Sequence, residues 1–369
     1  MNPLHRIAFS FVLLGMVTFL SCSSSVKSEP QSSVRPSSVG ITASPLPRLG
    51  DEIMVCGKLF HTGAPVVLWT DPGGYDAYRT DRRFAPYDQA DWEATKDKVK
   101  AIRSPNRYDL RYTSPANAHS VAGDNFVLTE DELQRARAGW DFDDLRNRID
   151  QFVYHYDVAG TSRNCFMILH DLRGLSVHFM LDLDGTIYQT LDLKERAWHA
   201  TTSNTRSVGI EIANMGAYTT RANNPLAEWY VKDASGHTVI HLPARYGDGG
   251  LRDKSQILRP ARDEIISGLV QGNTYHQYDL TPRQYNSLIK LTATLCTLFP
   301  NMKCDYPRDK DGKLIPVKLS DDVLTNYQGL LGHYHVQKDK QNPGPAFQWD
   351  AVVNGARALM RGESAASHR

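Results

Sequence analysis

Two ionisable residues sit inside apolar, β-type runs: His155 in Phe152–Val153–Tyr154–His155–Tyr156 and Glu211 in Ser207–Val208–Gly209–Ile210–Glu211–Ile212. An uncompensated charge in such a run costs on the order of several kcal/mol. A metal ion and a substrate would compensate both. Two further segments carry polar groups of the same kind, Ala197–Trp198–His199–Ala200 and Gly332–His333, the latter followed by Lys340–Gln341–Asn342–Pro343–Gly344–Pro345. A hydrolytic zinc site needs three protein ligands and an open fourth position for water, whose pKa falls to around 7. A separate carboxylate must then carry the proton to the leaving amine. His155 ends a predicted strand ahead of the small, flexible stretch Val158–Thr161, and His333 ends another after Gly332. Strand alternation turns Glu211 away from Ile210 and Ile212, onto the opposite face. These residue types at strand ends point to zinc-assisted hydrolysis.

In chain order, Val153–Tyr154–His155, Ser176–Val177–His178–Phe179 with Asp184–Gly185–Thr186–Ile187–Tyr188, Ala197–Trp198–His199–Ala200, Ser207–Glu211 with Asn214, and Gly332–His333 with Pro343–Gly344–Pro345 resemble the zinc-dependent N-acetylmuramoyl-L-alanine amidases. That family shares its fold with peptidoglycan recognition proteins. The resemblance runs from about Phe152 to Trp349 and is interrupted by an insertion after Gly216. It implies Zn2+ as cofactor and peptidoglycan or a muropeptide as substrate. By position, His155 and His333 would be metal ligands, Glu211 the acid/base glutamate and Lys340 the lysine that stabilises the oxyanion. His199, beside Trp198, would line the substrate groove. Asn342 stands where the family has an aspartate or cysteine ligand, and the connection from His333 is a residue shorter than the common spacing. A neutral amide oxygen binds zinc more weakly than a carboxylate, yet leaves the metal more electrophilic. His335 or a water are the other candidates for the third position. The rival reading is a non-catalytic peptidoglycan-binding protein disabled at Asn342, against which Glu211 and Lys340 both argue. His178 reads as a structural, hydrogen-bonded histidine and Tyr154 as core. His170 reads as a histidine at a helix end, where a cation suits the dipole. Lys340 has a plain surface lysine as its alternative.

The elements that must position these residues form a mixed central β-sheet flanked by helices, an α/β domain with an N-terminal extension. Helices are expected from Thr129, from about Asp141, after a Ser162 cap, from Thr281–Pro282 to about Phe299, and after Phe347. Strands are expected at Gln151–Tyr156, Ser176–Leu181, Thr186–Leu191, Ser207–Asn214 and up to His333, with a bulged hairpin at Asp182–Gly185. Glu52–Gly57 and Ala64–Trp69 are further strand candidates. Residues 216–278 read as a long polar insertion. With 42 Lys plus Arg against 41 Asp plus Glu, a net charge of +1, the chain has no basic field for nucleic acid. Nothing in it calls for a protein partner.

His5 and Arg6 precede the apolar stretch Ile7–Leu20, which ends at Phe19–Leu20–Ser21–Cys22. That pattern describes a signal peptide over residues 1–21 with Cys22 as a lipidated first residue. A Ser/Pro-rich tether would occupy 22–50, an extension or small β-module 51–125, the amidase domain 126–360 and a tail 361–369. The protein is thus expected to be exported and lipid-anchored to the cell envelope, with Ser23 favouring an outer membrane and a periplasmic face. Cys296 and Cys304, flanking a short turn, could pair in an oxidising compartment.

Overall fold

Strand β5 (Gln151–Tyr156) is buried along its whole length, as the apolar run Phe152–Tyr154 suits in a strand covered on both faces. The computed structural model describes residues 48–78, 108–110, 131, 140–220 and 222–363. The lipidation site Cys22, the helix expected from Thr129 and most of the segment 79–139 lie outside the described residues.

Six strands form the central sheet in the order β14 (Gly329–Gly332), β5, β9 (Ser207–Ile212), β6 (Phe179–Leu181), β7 (Ile187–Gln189) and β3 (Val66–Leu68). The β14–β5, β5–β9, β9–β6 and β7–β3 pairs are parallel; β6–β7 is antiparallel. The sheet is therefore mixed. Its edge strand β3 comes from the N-terminal extension, whose first part also forms the hairpin β1 (Glu52–Val55)–β2 (Lys58–His61). Strand β4 (Tyr108–Leu110) pairs with β8 (Glu195–Ala197) apart from the main sheet.

One sheet face packs Phe152, Tyr154, Val208, Ile210, Ile212, Phe179 and Leu181 against α4 (Pro282–Leu298) and α7 (Trp349–Met360). Each fully buried side chain of this size contributes about 1.5–3 kcal/mol. Gly355 lets the two helices approach: a Cβ there would stand 2.9 Å from Ile289. Leu145 of the short helix α1 (Phe142–Arg146) joins this same core, whereas the opposite face carries α2 (Ser162–Phe166), which continues as a π-helical turn over Met167–Leu172, and α5 (Asp321–Asn326). Thr161, not Ser162, caps α2, its Oγ accepting the Asn164 N–H, so Ser162 becomes the first helical residue. The strand expected from Ser176 begins only at Phe179, and Gly185 (φ +85) makes the tight turn into β7.

The insertion is more ordered than its polar composition implies. It holds α3 (Leu226–Trp229) and the hairpins β10 (Tyr230–Lys232)–β11 (Thr238–Ile240) and β12 (Ile266–Val270)–β13 (Asn273–Gln277). Leu226, Trp229, Tyr230 and Ile240 bury against Leu183, Ala213 and Met215. Trp229 packs so closely on Gly160 (φ +79) that a Cβ there would lie 2.2 Å from its ring.

Helix α4 opens on a capping box in which Thr281 and Gln284 each accept the other's backbone N–H, and Thr281 Oγ–H also donates to Leu183 O at 2.9 Å. Thr281→Ala should lower stability by about 1–2 kcal/mol. The denaturant midpoint, with an unchanged slope, measures it; an unmoved midpoint would mean the cap does not anchor α4.

Candidate metal centre and active-site cleft

Parallel pairing sets His155 level with Glu211 across β5 and β9. It also sets Gly332 level with Tyr154 across β14 and β5, so His333, one residue on, comes level with His155. His333 opens the helical turn α6 (His333–Val336), and its ring meets that of His155 edge to face, centroids 4.5 Å apart. Both rings line a cleft together with Asp157, Val158, Arg173, Trp198, His199, Glu211, Lys340 and Asn342. The residues singled out for metal binding, catalysis and substrate contact thus converge on one cleft.

Each imidazole commits one nitrogen to the protein. His333 Nε2–H donates to Gln337 Oε1 at 2.5 Å, and His155 Nε2 lies 3.0 Å from His199 Nδ1. His199 Nε2 is in turn 3.2 Å from Ser207 Oγ. An amide oxygen only accepts, so the Gln337 bond fixes the proton of His333 on Nε2 and leaves a lone pair on Nδ1. For His155 the contact with His199 occupies Nε2 and leaves Nδ1 as the nitrogen without a protein hydrogen bond. Orienting one ring nitrogen so that the other faces a metal is the usual outer-shell arrangement of ligand histidines. Both imidazoles are neutral. Burial, reinforced by the neighbouring His333 ring and the Lys340 cation, holds His155 well below the usual range. Burial pushes His333 down to about 4 against the opposing Gln337 hydrogen bond. Neutral imidazole is the form that binds metal.

Glycines make the site possible. A Cβ on Gly209 would stand 2.5 Å from the His199 ring, so only glycine lets that ring lie over the sheet. A Cβ on Gly332 would meet Pro343 Cδ at 2.7 Å. The loop bearing Asn342 lies there, its carbonyl accepting the Tyr334 N–H at 3.2 Å. Asn342 Oδ1 is buried with no hydrogen-bond partner.

Glu211 is the second orphan. Its Oε2 is buried and unpartnered. Burial, reinforced by the negative charge of Asp157, pushes its carboxyl well above the usual range, while Arg173 and Lys340 favour the ionised form. Asp157 accepts the N–H groups of Ala159, Gly160 and Asn214 on Oδ1, and burial raises it to about 7. A dication beside His155 would stabilise the Glu211 carboxylate. Two imidazoles with one nitrogen free of protein hydrogen bonds, an amide oxygen without a partner and a stranded carboxylate fit a zinc site with a neighbouring base.

His335 is excluded as the third ligand. The chain turns at His333 instead of staying extended, and His335 is buried with both nitrogens taken: Nδ1 accepts the Gly332 N–H at 2.8 Å and Nε2–H donates to Ile315 O at 2.8 Å. His178 is likewise structural, bonded to Glu195 O and the Gly209 N–H. Tyr154 is core, its hydroxyl 2.8 Å from Thr292 Oγ1. Cys296 and Cys304 sit thiol to thiol without a disulfide. Among the described residues one cluster of three carboxylate or histidine groups is tight enough to hold a metal, Asp51, Glu52 and His61. Its oxygens are already occupied: Glu52 accepts the N–H groups of Leu49, Gly50 and Asp51, and Asp51 that of Gly63. Sequence reasoning missed Asp157, Arg173 and Gln337. Gln337, four residues beyond His333 on a helical turn, carried a spacing signal; the other two carried none.

The family model for N-acetylmuramoyl-L-alanine amidases matches residues 145–345, more than half of the 369. The chain belongs to that family. It is accordingly an amidase, and His155, Glu211, His333 and Asn342 all lie in the matched region. Among curated proteins nothing matches. Solved structures similar to the chain include a selenomethionine derivative of AmpD, at 16% identity over 57% of this chain and 86% of that one, TM-score 0.27. AmiD of E. coli, in complex with anhydro-N-acetylmuramic acid-L-Ala-D-γ-Glu-L-Lys, is 17% identical over 56% of this chain and 57% of its own, TM-score 0.32. The endolysin amidase LysCS of Clostridium intestinale URNW is 15% identical over 60% and 88%, TM-score 0.28.

Burial holds His335 down at about 3, below the ordinary histidine value of 6.5, so the unfolded chain binds a proton that the folded chain refuses between those values. Stability from this group is complete above pH 6.5 and is lost as pH falls, at about 1.4 kcal/mol per pH unit. His335→Gln should flatten the pH dependence between pH 4 and 6 by one proton. Unfolding free energies at several pH values measure that slope, and an unchanged slope would contradict the buried neutral ring.

Proposed function

We propose that the cleft is a zinc site and that it hydrolyses the amide between the lactyl group of N-acetylmuramic acid and L-alanine in peptidoglycan or muropeptides. The observation that carries the reading is the pair of orphans, Asn342 Oδ1 and Glu211 Oε2, buried beside two imidazoles that each leave Nδ1 without a protein hydrogen bond. His155, His333 and Asn342 would hold the metal. Zinc bound there supplies a water acidified to near pH 7 and polarises the scissile carbonyl.

The chain's own groups do the rest. Glu211 takes the proton of the attacking water and delivers it to the alanine amine, and its raised proton affinity suits that second step. Lys340, on the cleft wall and about one-third exposed, offers a cation to the developing oxyanion. Trp198 and His199 line the groove for the substrate. Export through residues 1–21 and lipidation at Cys22 would place the enzyme on the cell envelope, on an outer membrane facing the periplasm, where wall fragments arise. The neutral Asn342 favours a second reading, a peptidoglycan-binding protein whose metal site is too weak for turnover.

The purified chain incubated with muropeptides should release free stem peptide, and a chelator should stop it, as read by mass spectrometry. Glu211→Gln should lower kcat by about 10²–10⁴-fold while leaving zinc content and muropeptide binding unchanged. Turnover that survives the chelator would sink the zinc assignment, and a fully active Glu211→Gln would remove Glu211 as the base. Binding without any turnover in the zinc-loaded wild type would favour the second reading.

A further inference from the structure

The β12–β13 hairpin belongs to the insertion and contributes nothing to the cleft lining, yet two of its glutamines hold the segments that carry the proposed ligands. Gln271 Nε2 donates to Tyr334 O at 2.8 Å and to Gln337 O at 3.1 Å, carbonyls at the end of α6. That is the helical turn on which His333 rides, and Gln337 is the residue that orients the His333 ring. Gln277 Nε2 donates to Pro343 O at 3.0 Å and to Asn214 Oδ1 at 3.2 Å, and Gln277 Oε1 accepts the Ala346 N–H at 3.0 Å. Gln277 thus pins the loop bearing Asn342 to the end of β9, two residues past the strand that carries Glu211.

Three further features show that the fit is close. A Cβ on Gly344 (φ +88) would lie 2.1 Å from Gln277 Oε1, and one on Gly268 would lie 2.8 Å from Pro345 Cβ. The hairpin's two-residue turn has positive φ at both Gln271 (+52) and Gly272 (+78). Such a turn prefers Asn or Gly at its first position, and glutamine there is strained. Gln271 has the reach that asparagine lacks, and its Oε1 also accepts the Lys318 N–H at 3.1 Å.

We propose that Gln271 and Gln277 are positioning residues that set the metal affinity of the cleft by clamping the His333 turn and the Asn342 loop. With a neutral third ligand the site cannot rely on charge, so its affinity depends on how well the ligands are held in place before metal arrives. This rests on the zinc reading above. Residues that support ligands in this way change metal affinity by roughly 10–100-fold when removed.

Gln271→Asn separates clamp from fold, because asparagine suits the turn but is too short for the carbonyls. Zinc affinity of the purified full chain is measured by competition with a chromophoric chelator, beside the melting temperature of the metal-free protein. The expected result is zinc binding roughly tenfold weaker, with a melting temperature equal to or above that of wild type. Gln277→Met, of similar length without donors, should also weaken zinc binding; if it fails to fold, Gln271→Asn decides alone. Unchanged zinc affinity in Gln271→Asn overturns the proposal, as does a metal-free melting temperature that falls with the affinity. A wild type that binds no zinc defeats the zinc reading itself.

Discussion

Parallel pairing of β14, β5 and β9 brings His333, His155 and Glu211 side by side at the carboxyl ends of three adjacent strands, about 4.8 Å apart. Nothing in an apolar sheet favours such a row. His155 loses its charge through burial, and Glu211 is left with an oxygen that no protein group satisfies. A group that brought positive charge and coordination into the cleft would offset the cost of burying them. The remaining architecture can be read as the means of keeping that row in place.

Each supporting feature acts on the geometry of the row. Gly209 makes room for the His199 ring, which holds His155 through its Nε2. Gly332 lets the Asn342 loop approach β14, and the insertion secures that loop and the His333 turn from the far side. The insertion itself is anchored through Trp229 on Gly160, next to the loop that carries Asp157. The family's core is thereby joined to a segment outside its shared motifs, and both sides contribute to the same site.

Much of this was legible because burial writes itself into sequence. Gln151–Tyr156 reads as a strand at both ends since every position is apolar or paired, and Thr281–Pro282–Arg283–Gln284 spells out its own cap. The strand starting at Ser176 was read too long because Val177 and His178 are as apolar or as buried as strand residues but bond elsewhere, His178 to Glu195 O and the Gly209 N–H. His335 misled for a related reason. Alternation places it only if the chain stays extended, and a helical turn begins at His333. The insertion looked polar because its core rests on a few widely spaced aromatic residues around Trp229 and Tyr230. Gln271 and Gln277 were silent, since an amide's partner across the fold is chosen by tertiary structure and leaves no periodic trace. Family motifs located the ligands; they could not show that Asn342 Oδ1 has no other partner.

The central claim is that His155, His333 and Asn342 form one zinc site. Anomalous diffraction at the zinc edge from crystals of the zinc-loaded protein tests it most directly. The account predicts a single strong peak in contact with His155 Nδ1, His333 Nδ1 and Asn342 Oδ1. A cleft without a peak, or a peak on Asp51, Glu52 and His61 instead, would contradict it.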